Sequence, residues 1–539
     1  MPSTKPLHCA FRLTLATLLL TLTMDNNATQ LRPLYGSAAD AHGTLLAVIA
    51  ASTTHLCPLF GDDRHLAGLL ATVVVAMTRS GPWARSLSTY LGPTVGALSA
   101  QAMLTLPLHN FLASWSNFRS YRKFSLILIT FGSIVLRPSV ARIPHCEQAA
   151  WLLVLTTCFS LSAVSSVISD LSSPNFSRVT QSKGFKRISF RFSLIVALSA
   201  VVPYASYHLR PVGCGKLSSS GRKETDGVRV FDQVWSTTGL VQIAEYRLDN
   251  SDAWIRAMRC DHSLLGGVWI NTDGPSGPES VYATFILQEA IRFVERSAKH
   301  DESPRALLIG LGAGISARAL HVHGLNTTIV EIDPAIYRYA QEYFGLPSPR
   351  GGAHIQDARQ YLTQHAARQA EPYDYIIHDV FTGGSVPSSL FTAEHWREIK
   401  GALRKDGILA VNFVGHLTSP GTRAVLHTIL ASFQHCKAFA DGSASSADDV
   451  QNMVIFCSPS RPITLRPLHD SDSLSSPLRH RVFESMQDND IDLRSISEYA
   501  PVLLTDKDTS ALDVEQSLSS VEHWHVMRRV LPARAWERY

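Results

Sequence analysis

The chain has 539 residues, beyond the ~250–300 at which a single core usually stops growing, so more than one domain is expected. Only 17% of residues are charged, the formal net charge is +4, and no basic face with interleaved aromatics is present, which argues against a nucleic-acid partner. Eight cysteines are scattered without a CxxC pair, so neither metal-ligand spacing nor a disulfide framework is supported.

Charge is unevenly distributed. Up to residue 210 there are seventeen Lys/Arg against six Asp/Glu, a bias that suits segments flanking membrane spans. Six or seven apolar stretches recur there, at 10–24, 43–60, 66–78, 88–108, 124–136, 149–168 and 190–207. One of them, "AAWLLVLTTCFSLSAVSSVI", has no charge over about twenty residues, the length a helix needs to cross ~30 Å of hydrocarbon. Residues 1–210 are therefore expected to form an α-helical transmembrane bundle, with a multi-pass membrane location and the lipid bilayer as partner. A signal peptide followed by buried helices is the alternative. Residues 211–227, "PVGCGKLSSSGRKETDG", lack an apolar period and read as a linker.

A small β-rich domain is expected over 228–275 and a Rossmann-like α/β domain over 276–539. The α/β domain opens with "RALLIGLGAGISARAL", residues 305–320. A short apolar strand runs into three alternating glycines, Gly310, Gly312 and Gly314, and a helix pattern follows. Then "TTIVEID" reads as a second strand ending in Glu331, about 20 residues on, where a carboxylate can accept both hydroxyls of a ribose. "HIQDARQYL" puts Asp357 at the end of a third strand signal. "YDYIIHDVFTGGSVP" puts Asp379 at the end of a fourth. The carboxyl edge of an open α/β sheet is where ligands bind, so this pattern gathers three acids around a nucleoside. His378 is expected to point away from Asp379, because strand residues alternate faces. Asp333 is expected to cap the helix that opens at Pro334.

The stretches "VEIDPAIYRYAQEYFGL", "QDARQYL" and "YDYIIHDVFTGGSVPSSLFT" resemble the spermidine/spermine synthase family. So do "DQVWSTTGLVQIAEY", "MRCDHSLLGGVWI" and "PVLLTDKDTSALD", and the resemblance covers roughly 228–513. It implies a β-domain followed by a methyltransferase-type sheet. It also implies aminopropyl transfer from decarboxylated S-adenosylmethionine to an amine such as putrescine or spermidine, without a metal. By the same resemblance Glu331 binds the ribose, Asp357 and Ala358 hold the adenine, Tyr282 lines the acceptor side, and Asp379 binds and deprotonates the acceptor amine. Members of the family often form dimers, so a homodimer is compatible with it. Three positions depart from the family pattern. Ala313 stands where an Asp grips the donor amine, Thr382 where a second amine-binding acid lies, and Gly239 where a donor-contacting Gln lies. These departures keep two other readings open: a methyltransferase using intact S-adenosylmethionine, and a degenerate nucleoside- or polyamine-binding membrane protein.

Overall fold

The computed structural model describes residues 5–40, 91–116, 122–155 and 224–537, apart from 153, 225, 249–251, 275–276, 298–302, 381–384, 443–449, 494–495 and 497–501. The chain divides into two compact units, Met1–Lys216 and Leu217–Tyr539.

In the first unit, α1 (Lys5–Tyr35), α2 (Pro93–Ser116) and α3 (Arg122–Val140) pack through Leu19, Leu20, Leu108, Leu112 and Ile129. The expected transmembrane bundle and multi-pass membrane location are corrected here. Among the described residues no helix is long and apolar enough to cross a membrane. The reason is visible in each helix. The apolar run of α1 gives way to Asp25, Asn26 and Asn27, all buried, and Gln148 donates to Asp25 Oδ2 at 2.8 Å. The α2 helix buries Gln101 and carries Pro107. Arg122 and Arg137 bracket α3, leaving fewer than the ~20 apolar residues that a span requires. The stretches 43–60, 66–78 and 190–207, and most of 149–168, lie outside the described residues.

The second unit begins with an antiparallel sheet in sequential order: β1 (Val228–Trp235), β2 (Leu240–Arg247), β3 (Trp254–Cys260), β4 (Ser263–Gly274) and β5 (Gly277–Ser280). Helix α4 (Ala283–Glu289) leads into the α/β part. There the strands are β6 (Arg305–Ile309), β7 (Asn326–Glu331), β8 (Ala353–Ile355), β9 (Tyr373–His378), β10 (Leu403–His416), β11 (His435–Ala440), β12 (Val450–Ser458) and β13 (Asp490–Ile491). They form one sheet in the order β13-β11-β12-β10-β9-β6-β7-β8. Strands β10, β9, β6, β7 and β8 are mutually parallel, and β12 runs antiparallel to β10. The winding direction reverses between β6 and β9, which is where open sheets of this kind bind ligands.

The local sequence explains the elements. "YDYIIH" is buried throughout, as a central parallel strand covered on both faces must be. Helix α5 (Ile315–Val322) starts at Gly314, which has a left-handed conformation. Helix α6 (Pro334–Phe344) starts at Asp333, whose side chain accepts from the amides of Ala335 and Ile336, and stops at left-handed Gly345. Helix α7 (Ala358–Ala367) starts at Asp357, and α8 (Ala393–Ala402) at Thr392. One face of the sheet packs on Ile315, Tyr339 and Phe344, and the other on Trp396, Ile399 and Phe433. Helix α9 (Pro420–Ser432) lies on the second face, and the long α11 (Ser510–Val530) packs along α9; a short α10 (Pro477–Ser485) precedes it in the chain. The terminal α12 (Ala533–Glu537) buries Trp536 against the antiparallel sheet, where Arg259 donates to the Ala535 carbonyl at 2.8 Å.

The cysteines do form a disulfide. Cys436 on β11 and Cys457 on β12 are cross-strand partners with Cα atoms 4.1 Å apart. Their separation of 21 residues carries no spacing signal, and only the strand register brings them together.

Candidate functional site

The glycine turn after β6 is built by close backbone approach. Gly310, Gly312 and Gly314 have φ of 80°, 54° and 74°, values that side-chain-bearing residues rarely adopt. A Cβ on Gly310 would lie 1.9 Å from the Asp379 carbonyl oxygen, and one on Gly312 would lie 2.4 Å from that of Leu265. The turn is thus wedged between the end of β9 and strand β4. Its glycines make room first for the protein's own backbone. Gly314 packs against Ala340 and Leu346 instead.

A cavity of about 210 Å³ sits over this turn at the carboxyl edge of the sheet. Gly310, Gly312, Glu331, Asp357, Ala358 and Asp379 all line it; Gly314 and Tyr282 do not. Glu331 is buried at the end of β7. Its Oε2 accepts from the Leu311 amide at 3.0 Å and its Oε1 from the Asp333 amide at 2.9 Å. Burial outweighs these two donors and pushes the carboxyl up to about 7. Asp357 follows β8 and caps α7, accepting from the Gln360 amide at 3.0 Å. Ile332 lines the same cavity and is 47% exposed although fully apolar, which leaves a flat hydrophobic surface at its wall.

Asp379 follows β9 and is held at both oxygens. Asn412 on β10 donates to Oδ1 at 2.8 Å, and Gln288 on α4 donates to Oδ2 at 3.0 Å. Gln288 is itself oriented by Ser316, whose hydroxyl donates to Gln288 Oε1 at 2.7 Å. Burial pushes the Asp379 carboxyl up, against these two amides. His378 faces the opposite side. Its Nε2 lies 3.2 Å from that of His395, and its ring packs on Phe391 and Trp396. Asp333, besides capping α6, accepts from Ser236 and Thr238 and so ties the β1–β2 hairpin to the sheet edge.

A second cavity of about 680 Å³ adjoins the first, sharing Leu264, Phe285 and Asn412 in its wall. Tyr282 lies here, with Thr284, Asp441 and Asn452. Among the described residues its buried hydroxyl has no hydrogen-bond partner, and burial together with the nearby Asp441 carboxylate pushes the phenol up. Gln288, Asn412, Thr284 and Asn452 were not singled out in the sequence, and Asp441, which opens "DGSASSADD", reads there only as the start of a surface loop. Asn412, a lone polar residue in "GILAVNFVG", carried the one signal that was there to find.

The three departing positions have structural counterparts. Ala313 is buried, and a Cβ on Gly266 would come within 2.8 Å of its own Cβ, so its methyl group lies close against the β4 backbone at Gly266. The carboxylate of Asp261 occupies the space beside Gly239, at 2.4 Å from a built Cβ, and accepts from the Leu240 amide. Thr382 lies outside the described residues. Among the described residues no cluster of three or more His, Cys, Asp or Glu side chains is arranged to hold a metal ion.

A spermine/spermidine synthase domain matches at residues 284–426, a span that contains the glycine turn, Glu331, Asp357, Asp379 and Asn412. An N-terminal histidine N-methyltransferase of Emericella nidulans is 39% identical over 330 residues, covering 58% of this chain and 58% of that protein. A polyamine aminopropyltransferase of Vibrio vulnificus is 39% identical over 111 residues, covering 20% of this chain and 37% of that protein. The chain thus spans little more than half the length of the first of these relatives and less of the second. Among solved structures, a probable spermidine synthase from Corynebacterium glutamicum aligns with a TM-score of 0.38 and 20% identity, over 52% of this chain and 95% of that one.

Proposed function

We propose that the chain is an S-adenosylmethionine-dependent N-methyltransferase whose acceptor is a nitrogen at the start of a polypeptide. In this reading Glu331 takes the ribose hydroxyls of the donor, and Asp357 with Ala358 takes the adenine. Gly310 and Gly312 let the donor lie against the turn, and Asp379 faces the acceptor nitrogen. An ammonium or protonated ring nitrogen is no nucleophile until it loses its proton. A carboxylate beside it orients it and accepts that proton or passes it to water. The free nitrogen lone pair then attacks the methyl carbon. The carbon–sulfur bond breaks, sulfur keeps the pair, and S-adenosylhomocysteine leaves. The sulfonium is already a good leaving group, so alignment supplies much of the remaining acceleration. Gln288 and Asn412 fix both oxygens of Asp379 and so provide that alignment.

The observation that carries the choice of donor is the buried Ala313. Decarboxylated S-adenosylmethionine ends in a lone ammonium, which is costly to bury without an anion. The intact donor ends in an amino-acid group whose ammonium carries its own carboxylate as counter-charge, so it needs hydrogen-bond partners but no protein anion to balance it. Here that wall is Leu264, Leu265 and Phe285, with Ala313 packed behind it. The methyltransferase relative supports the same donor. The relative's name also supports an N-terminal acceptor, as does a second cavity within the ~300–1,000 Å³ of drug-sized ligand sites.

Aminopropyl transfer to a polyamine is the second reading. The domain match over 284–426 and the Vibrio relative favour it. Incubating the full chain with each donor, and with either a histidine-initiated peptide or putrescine, separates the two. Methyl-labelled donor is expected to mark the peptide and release S-adenosylhomocysteine. Methylthioadenosine released only from the decarboxylated donor, with putrescine consumed, would establish the second reading in its place.

A further inference from the structure

We infer that Thr284, Asp441 and Asn452, with the Tyr282 hydroxyl, form a subsite for a primary ammonium group of the acceptor, separate from the proton-accepting Asp379. The inference rests on the methyl-transfer reading for its acceptor and on side-chain geometry for its chemistry. Thr284 opens α4, Asp441 follows β11 and Asn452 lies on β12, so three elements converge in the wall of the larger cavity. Thr284 donates to Asp441 Oδ2 at 2.6 Å, Asn452 donates to the same oxygen at 2.9 Å, and Asn452 also donates to the Thr284 hydroxyl. Asp441 and Asn452 lie beyond the matched domain, whose span ends at residue 426.

Two features point to a cationic, hydrogen-rich ligand. First, Asp441 is drawn out of water, which pushes its carboxyl up, yet among the described residues it pairs with no Lys, Arg or His. A half-buried carboxylate with no cation beside it is destabilised, and a cationic ligand would supply the missing charge. Second, the acceptor atoms around it lack donors. Among the described residues, Asn452 Oδ1, Asn412 Oδ1 and Tyr282 Oη are buried and have no hydrogen-bond partner, and Asn412 is only 7% exposed. Both amides are fixed in orientation because their nitrogens donate to carboxylates, Asn452 to Asp441 and Asn412 to Asp379. An ammonium offers three N–H donors and no acceptor, which matches a carboxylate flanked by carbonyl and hydroxyl oxygens. Of the basic groups in the lining, His416 pairs with Glu522 at 2.6 Å, burial pushes the His523 imidazole down to about 4 and so keeps it uncharged near neutral pH, and Arg529 sits at the exposed end of α11.

Peptide N-termini and polyamines both carry this group, and equilibrium binding to the full chain distinguishes them. The probes are histidyl-glycyl-glycinamide, its N-acetyl counterpart, and putrescine, with S-adenosylhomocysteine titrated in parallel as a measure of the intact fold. The free-amine peptide is expected to bind at least about tenfold more tightly than the acetylated one. Asp441→Asn is expected to erase that difference, with S-adenosylhomocysteine affinity unchanged. Tyr282→Phe removes only an unpartnered hydroxyl, so it leaves the fold intact and is expected to weaken the free-amine peptide several-fold. Equal binding of the two peptides by the wild type, with putrescine also indifferent to Asp441→Asn, would overturn the subsite. So would a preference for the free amine that survives Asp441→Asn. Dependence of putrescine alone on Asp441 would keep the ammonium subsite and remove the polypeptide acceptor. Because binding is read without turnover, amine discrimination without methyl transfer sinks the methyl-transfer reading alone, and transfer without discrimination sinks the subsite alone.

Discussion

At the scale of single residues the account turns on carboxylates whose surroundings differ. Asp379 has both oxygens held by amide donors, so Asp379→Asn removes the proton acceptor and keeps the outline, with Asn412 turning its otherwise unpartnered Oδ1 to accept from the new amide. The expected result is a loss of about 10²–10⁴ in transfer rate with S-adenosylhomocysteine affinity retained, measured by single-turnover kinetics beside calorimetry. Glu331 has a raised pKa of about 7. In the proposed reading the donor hydroxyls bond to its ionised form, so donor affinity is expected to fall as pH drops below about 7, by up to tenfold per unit. Stability runs the other way. The folded chain holds a proton that the unfolded chain releases above the ordinary value of 4.5, so this contribution is full below 4.5 and lost as pH rises towards 7. It amounts to roughly 3 kcal/mol, and Glu331→Gln should flatten that slope in denaturant titrations. Glu331, Asp357 and Asp379 were legible in the sequence because each ends an apolar strand run. Gln288 and Asn412 were not, because they lie 91 and 33 residues from Asp379 and only the fold joins them.

At the scale of elements, the glycine turn is a joint between strands. A Cβ at Gly310 meets the Asp379 carbonyl at 1.9 Å, and its φ of 80° adds roughly 1–2 kcal/mol of backbone cost. Gly310→Ala is therefore expected to lower the unfolding midpoint and transfer activity together, since the displaced segment carries Asp379. The β11–β12 pair is cross-linked by Cys436 and Cys457. Replacing both with Ala is expected to reduce stability by about 2–4 kcal/mol, read from the urea midpoint, with donor affinity little changed. The alternating strands and helices from Arg305 to Ala402 were readable from their period and caps. The disulfide was not, because cross-strand register leaves no mark on spacing. The apolar stretches at 10–24 and 124–136 misled for a related reason. A run of Leu, Ala and Thr satisfies a buried helix as well as a lipid-facing one, and the buried Asp25–Asn27 segment of α1 tells against a span only once its packing is known.

At the scale of the whole molecule, one sheet edge carries the smaller cavity, and the antiparallel sheet, α4 and α11 wall the larger one beside it. Leu264, Phe285 and Asn412 belong to both, so a ligand in either cavity touches residues that border the other. Donor and acceptor are therefore expected to bind with mutual influence, which reciprocal titrations of S-adenosylhomocysteine and a histidine-initiated peptide would register as equal shifts in either order. The central claim is that the acids at the strand ends grip an adenosyl compound. Its most direct measurement is calorimetric titration of S-adenosylhomocysteine into the full chain and into Glu331→Gln. The account predicts saturable binding to the wild type that weakens at least about tenfold in the variant. Binding that is absent from the wild type, or equally tight in both, would contradict it.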